Sequence, residues 1–503
     1  MDICGVKSES GSISYRRLGK TGFLVSAAGF GCYRVDISSK VHRAAMIEAL
    51  SAGINIIDTS ANYMDGNSEL LAGSVIGELT EGAGLKRDDI VVITKGGYIQ
   101  GKNYEISAAR KKENRAYPDL VEYAEGLEHC IHPEFLDEQI SASLKRLNLD
   151  SIDAYLLHNP EYYLLWAEKN GISLNEARTG YYSRIEKALK YLETEVERGR
   201  IKFYGISSNT FISRAGDYGF TSLERVISIA EAVSADNHFG VIEFPMNLFE
   251  RGAAVEKNQG GAMTLLELAS LKNIGVLVNR PLNAFFRGAM LRLAGAPEIT
   301  TGWSESDFAA LEEQINAAIS LLGEREEKIK NLAHNLSEDS IEKALVIFDN
   351  IFIYEQLNKR WKEFKTASGF ESFMTQYYLP RVEYFGFNLK NGVLNNKKLE
   401  GEILSCMDSA GELLEKTGAY FKARNFITVI KIKDKLTSLA PFYSNFCELS
   451  DMALGVIINT AGVSSALTGM RTPRYVSGSL RALKQSAGGA QTCWKTLSEI
   501  DDF

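Results

Sequence analysis

Short apolar runs recur along the chain, each set off by a longer amphipathic stretch. The runs are "LVSAAGFG" (24–31), "INIIDTS" (54–60), "IVVITKGG" (90–97), "IDAYLLHN" (152–159), "IKFYGISS" (201–208), "FGVIEFPMN" (239–247), "IGVLVNRPL" (274–282) and "SSALTGM" (464–470). Between them lie "HRAAMIEALSAG", "FLDEQISASLKRLN", "RIEKALKYLETEVERG" and "MTLLELASLKN", whose apolar positions follow a helical period. Several of these stop at Gly or Asn just before the next strand, as helices do. Eight strand–helix units in series predict a parallel sheet, and eight is the number that closes a (β/α)8 TIM barrel. An open doubly wound sheet needs a Gly-rich turn after its first strand, which "GFGCYR" does not provide.

The alternation breaks once, widely. From "SESDFAALEEQINAAISLLGEREEKIKNL" to "SAGELLEKTGAYFKARNFITVIKIKDKL" the chain reads as long helices, and the strand–helix rhythm returns at "FCELSDMALGVIINTAGVSSALTGMR". The stretch is too long and too periodic for a loop and predicts an inserted α-helical domain. Shorter expansions follow the third strand ("YIQGKNY…IHPE") and the fourth ("PEYYLLWAEKNGISLNEARTGYY"). In a barrel all three sit on the catalytic face.

Bulk composition narrows the class. With 503 residues, 45% of them hydrophobic and 24% charged, the chain is longer than one compact domain needs and ordinary for a globular enzyme. A net charge of -8 argues against a nucleic-acid partner. No apolar run reaches membrane-spanning length, "MDICGVKSES" is too polar for a signal peptide, and six scattered cysteines suit a cytoplasmic setting. His129, Cys130 and His132 in "EHCIHPE" are too closely spaced and too isolated to favour a metal site over a loop-to-helix junction.

Candidate chemistry comes from strand ends. Asp58 ends the second strand, Lys95 closes "IVVITK", His158 closes "IDAYLLH", and Tyr63 lies in the loop after Asp58. Each alone has an ordinary structural explanation; together they put four complementary titratable groups on one rim. A buried lysine there needs a carboxylate partner. Beside a phenol it is expected to lower the tyrosine pKa, giving a proton donor for a carbonyl oxygen that a histidine can orient.

"GINIIDTSANYMDGNSE", "VVITKGG", "SLKRLNLDSIDAYLLHNPE", "GRIKFYGISSNTF", "IEFPMNLFERGA", "GVLVNRPLNAF" and "GVSSALTGMRTP" resemble, in order, the signature segments of the aldo-keto reductases, and "ISYRRLGKTGFLVS" is similar to that family's lead-in hairpin. The resemblance implies a barrel over 13–290, closed by 446–485, with an unmatched helical insert at 291–445 and a tail at 486–503. It implies Tyr63 as general acid, Lys95 paired with Asp58 as its tuner, and His158 as the group that positions the carbonyl. It implies no metal, and NADP, or alternatively NAD, across the barrel mouth. The implied cofactor residues are Gly31, Cys32, Tyr33, Asp58, Ser207, Ser208, Glu243, Asn279, Pro281, Leu282, Gly469, Met470, Arg471 and Arg474. Four positions depart from the family's pattern. Ser207-Ser208 precede Asn209, one place late for the usual Ser-Asn. Glu243 stands where a glutamine is usual, Asn279 where an aromatic often stacks, and Tyr475 where an arginine often grips the 2′-phosphate.

Two functions follow. The first is an oxidoreductase acting on a small aldehyde, ketone, sugar or alcohol. The second is a cofactor-holding regulatory or binding subunit whose helical insert is a partner surface; a homo-oligomer through the insert, as in a catalytically idle scaffold, is a further reading.

Overall fold

In a computed structural model the described residues are 13–82, 84–295, 303–333, 348, 351–390, 396–487, 489 and 491–502. The first twelve residues and most of 334–350, which include part of an expected insert helix, lie outside them.

The eight apolar runs form eight parallel strands: β1 Ala28–Gly31, β2 Ile56–Asp58, β3 Val91–Gly96, β4 Ile152–His158, β5 Ile201–Ser207, β6 Phe239–Pro245, β7 Gly275–Asn279 and β8 Ser465–Thr468. Each pairs with the next, and β8 closes on β1. The helices that follow them are α1 Lys40–Ser51, α2 Asn67–Gly82, α3 Pro133–Leu147, α4 Leu174–Glu197, α5 Leu223–Val233, α6 Leu265–Leu271, α7 Leu449–Ile458 and α8 Pro473–Ser486. This is the (β/α)8 barrel expected from the alternation.

Local chemistry sets the helix ends. Ser39, Ser173, Ser222 and Thr472 each accept a first-turn backbone N–H of α1, α4, α5 and α8, and Thr264 with Glu267 forms a capping box on α6. Asn148, left-handed at φ 53°, stops α3. The Ser173 cap starts α4 ten residues before the expected Arg184, and with a short helix at Tyr162–Lys169 most of the second expansion is helix. Gly205 marks the tightest strand approach: a Cβ there would lie 1.8 Å from the Val241 carbonyl oxygen.

The run "LVSAAGFG" divides between two structures. Leu24–Ser26 pairs with Tyr15–Arg17 as an antiparallel hairpin, and only Ala28–Gly31 enters the barrel. Leu18 and Val25 of this hairpin segment pack into one buried cluster with Ile56, Val91, Ile93, Ala154, Leu156, Val241, Leu277 and Leu467. Leu18 also lies against Gly275 at the start of β7, so the hairpin plugs the N-terminal end of the barrel. The opposite, C-terminal end is left for polar side chains.

The chain divides into two compact units, Met1–Leu282 with Leu436–Asp502, and Asn283–Lys435. The second unit opens on a hairpin, Asn283–Phe286 against Ala289–Arg292, which the helical pattern of the insert did not anticipate. It continues with helices Glu305–Ala333, Ala367–Phe373, Leu379–Lys390 and Lys397–Leu439. Its own core gathers Phe308, Ile315, Leu322, Trp361, Leu413 and Phe421. The buried Glu326 carboxylate accepts the N–H groups of Ile353 and Tyr354 at 2.9 and 3.0 Å. The tail packs on the first unit: Trp494 is buried and its indole N–H donates to Thr460 Oγ1 at 3.1 Å.

Candidate active site

The C-terminal ends of β2, β3 and β4 bring three of the four candidate residues to one place. Lys95 is fully buried, and its Nζ lies 2.6 and 2.7 Å from the two Asp58 carboxylate oxygens and 3.2 Å from the Thr59 carbonyl oxygen. Tyr63 follows in a tight turn. Met64 and Asp65 are both left-handed there, at φ 48° and 54°, a conformation that costs a non-glycine residue about 1 kcal/mol or more. The turn sets the Tyr63 ring 5.2 Å from Lys95 Nζ and 5.8 Å, edge-on, from the His158 ring.

His158 is held by groups the sequence did not connect with it. Ser60 Oγ lies 2.9 Å from its Nδ1, Tyr98 packs edge-on at 4.7 Å, and His129 Nε2 contacts its carbonyl oxygen at 2.7 Å. Asn159 donates to the Tyr98 hydroxyl at 2.7 Å. The Ser60 contact fixes the imidazole through Nδ1 and leaves Nε2 for a ligand. His129, Cys130 and His132 serve structure: Cys130 Sγ reaches the Pro118 carbonyl, and His132 Nδ1 accepts the Glu134 N–H as the cap of α3. Tyr98 and His129 pair in a small sheet of Tyr98–Ile99, Val121–Ala124 and Leu127–His129, built from the first expansion. Only pairing across that sheet brings them to His158, so no local motif could reveal them.

Electrostatics follow from burial. Burial and the neighbouring Glu243 push the Asp58 carboxyl well above its usual range, against the pull of Lys95. Burial opposes the Lys95 ammonium, but Asp58 and Glu243 outweigh it and its pKa rises. Burial, with a smaller effect of Lys95, holds His158 well below the ordinary histidine range, so the ring is neutral. The expectation for Tyr63 is corrected. Dense packing pushes its phenol upward, Lys95 only partly offsets this, and Asp58 and Glu243 add to the rise. The lysine's charge is already spent on two carboxylates, so the tyrosine stands as a protonated donor.

The remaining rim residues fall into two groups. Ser207, at the end of β5, pairs in register with His158 on one side and Glu243 on the other. Ser208 is buried against Thr210 and Thr221, and the Asn209 N–H donates to Glu161 at 2.8 Å. Glu243 accepts Asn279 Nδ2 at 2.7 Å through Oε1, while its Oε2 stands 3.2 Å from Lys95 Nζ. Glu243 Oε2 and Asn279 Oδ1 are buried and make no hydrogen bond among the described residues. Gly31 ends β1, Tyr33 is exposed and meets the Tyr63 ring edge-on at 5.5 Å, and Pro281 and Leu282 follow β7. The second group lies around the N-terminus of α8: Gly469, Arg471, and Arg474, 3.8 Å from Glu448. Cys32 and Met470 are fully buried, which leaves them their backbone to offer rather than their side chains.

Residues 29–335, more than half of the chain, match the aldo/keto reductase family. The chain belongs to that family. Its members are NAD(P)H-dependent oxidoreductases. Among curated relatives, the NADH-specific methylglyoxal reductase of Escherichia coli (strain K12) is 28% identical over 173 residues, 32% of this chain and 47% of that protein. Probable aldo-keto reductase 1 of Glycine max is 27% identical over 197 residues, 38% of this chain and 44% of that protein. The chain thus spans about half the length of the curated relatives it matches. Among solved structures, the glycerol dehydrogenase AKR11B4 from Gluconobacter oxydans is similar at 17% identity and a TM-score of 0.48, covering 97% of this chain and 94% of that one.

Proposed function

We propose that this aldo/keto reductase interconverts a small carbonyl compound and its alcohol with a nicotinamide dinucleotide. The observation that carries the reading is the buried Asp58–Lys95 pair with Tyr63 and His158 against it on one rim. The buried acceptors Glu243 Oε2, against Lys95 Nζ at 3.2 Å, and Asn279 Oδ1 fit a nicotinamide carboxamide, whose NH2 group needs two acceptors. Ser207, Gly31, Tyr33, Pro281 and Leu282 would flank it. The N-terminus of α8, with no acidic residue in its first turn and with Arg471 and Arg474 beside it, suits the adenosine phosphates of NADP. When bound, the cofactor supplies or takes up hydride at the carbonyl carbon. The protein's part is acid–base: Tyr63 gives its proton to the carbonyl oxygen, or takes it back from the alcohol. His158 Nε2 holds that same oxygen, and Lys95 stabilises the phenolate once the proton has left. Asp58 keeps Lys95 charged and aimed.

The five cysteines among the described residues form no disulfide and three of them are buried, which supports a cytoplasmic setting. No described helix is long and apolar enough to cross a membrane. Purified protein with NADPH or NADH and a panel of small aldehydes, ketones and alcohols tests the reading by absorbance of the reduced cofactor. Cofactor binding without turnover of any substrate would favour the binding-subunit alternative.

A further inference from the structure

The mouth of the barrel holds one more carboxylate than its lysine can neutralise. Asp58 and Glu243 both lie against Lys95 Nζ, at 2.6 and 3.2 Å, and all three side chains are buried. Asn279 adds a hydrogen bond but no charge. That surplus sits at Glu243 Oε2, which pairs with Lys95 Nζ at 3.2 Å but makes no well-aligned hydrogen bond to it, and beside Asn279 Oδ1, a buried acceptor on the adjacent strand with no hydrogen bond among the described residues. A carboxamide NH2 satisfies both, and in a nicotinamide the amide is bonded directly to the ring. The ring carries a positive charge when oxidised and none when reduced. A buried carboxylate that holds the amide therefore acts on the two redox forms unequally, and strongly, because the surroundings screen little.

We propose that Glu243 is a specificity-determining residue that makes this site bind the oxidised, cationic nicotinamide more tightly than the reduced form, which makes the bound reduced form the stronger hydride donor and so favours carbonyl reduction by the bound couple. A glutamine of the same shape would hold the amide without discriminating between the forms. The inference rests on the functional reading above, and binding measurements separate the two. Dissociation constants for the oxidised and reduced dinucleotide are measured by fluorescence titration on the full chain, with NADP+ and NADPH and with NAD+ and NADH.

In the unaltered protein the oxidised form is expected to bind at least ~10-fold more tightly than the reduced form. Glu243→Gln is expected to lose most of that preference, and Glu243→Asp, which keeps the charge, to retain it. Equal binding, or tighter binding of the reduced form, in the unaltered protein overturns the proposal without recourse to any variant. A preference that survives in a folded Glu243→Gln protein also overturns it. Failure of the unaltered protein to bind any of the four dinucleotides removes the functional reading itself.

Discussion

Both carboxylate oxygens of Asp58 lie within 2.7 Å of Lys95 Nζ, at the ends of adjacent strands and out of contact with water. The pair is rigid because β2 and β3 are paired in register, with Asp58 opposite Ile93. Removing Asp58 leaves Lys95 paired with Glu243, whereas removing Lys95 leaves two buried carboxylates without a counterion. Lys95→Met is therefore expected to cost more stability than Asp58→Ala. The loss for Lys95→Met should be about 3 kcal/mol or more, read from urea unfolding.

Tyr63→Phe removes the proposed proton donor and keeps the ring that packs on Tyr33 and His158. Turnover is expected to fall at least ~10²-fold, with dinucleotide affinity nearly unchanged. Unaltered turnover would remove Tyr63 from the chemistry.

His129 is buried with its Nε2 on the His158 carbonyl, and burial pushes its pKa down to about 4. In the unfolded chain the same ring takes up a proton near pH 6.5. Between these values the unfolded state binds more protons, so stability is present above pH 6.5 and is lost as pH falls toward 4. The loss attributable to this residue is up to ~3 kcal/mol. His129→Gln should flatten that part of the stability–pH curve.

Gly205 lies against the Val241 carbonyl at the point where β5 and β6 shift register. Gly205→Ala is expected to force the two strands apart and to destabilise the barrel by ~2 kcal/mol or more. Because Ser207 and Glu243 are partners two residues further on, cofactor affinity should fall with it.

The second unit has its own apolar core, and the barrel's eight strands all lie outside it. Replacing Asn283–Lys435 by a short Gly/Ser linker is expected to leave a folded, dinucleotide-binding barrel, checked by circular dichroism and titration. Loss of the barrel's fold in this variant would make the insert part of its core.

The order of strands and helices was legible in the sequence because each barrel unit advertises itself locally. A short apolar run, a capped amphipathic helix and a Gly or Asn stop need no distant partner to be recognised. For the same reason Asp58, Lys95 and His158 could be found at strand ends, and the helical insert by its change of period. The Asn283–Arg292 hairpin escaped notice because its alternation is brief and lies beside a long helical pattern. Other properties belong to the assembled barrel alone. Ser60, Tyr98 and His129 meet His158 across separations of 98, 60 and 29 residues, and nothing local records it. The state of Tyr63 was decided there too. The sequence named the lysine that could lower its pKa, but only the fold buried that lysine between Asp58 and Glu243 and packed the phenol densely enough to raise it. Residue types and their order along a strand are local facts, whereas desolvation and the sum of neighbouring charges depend on every element that closes around a group.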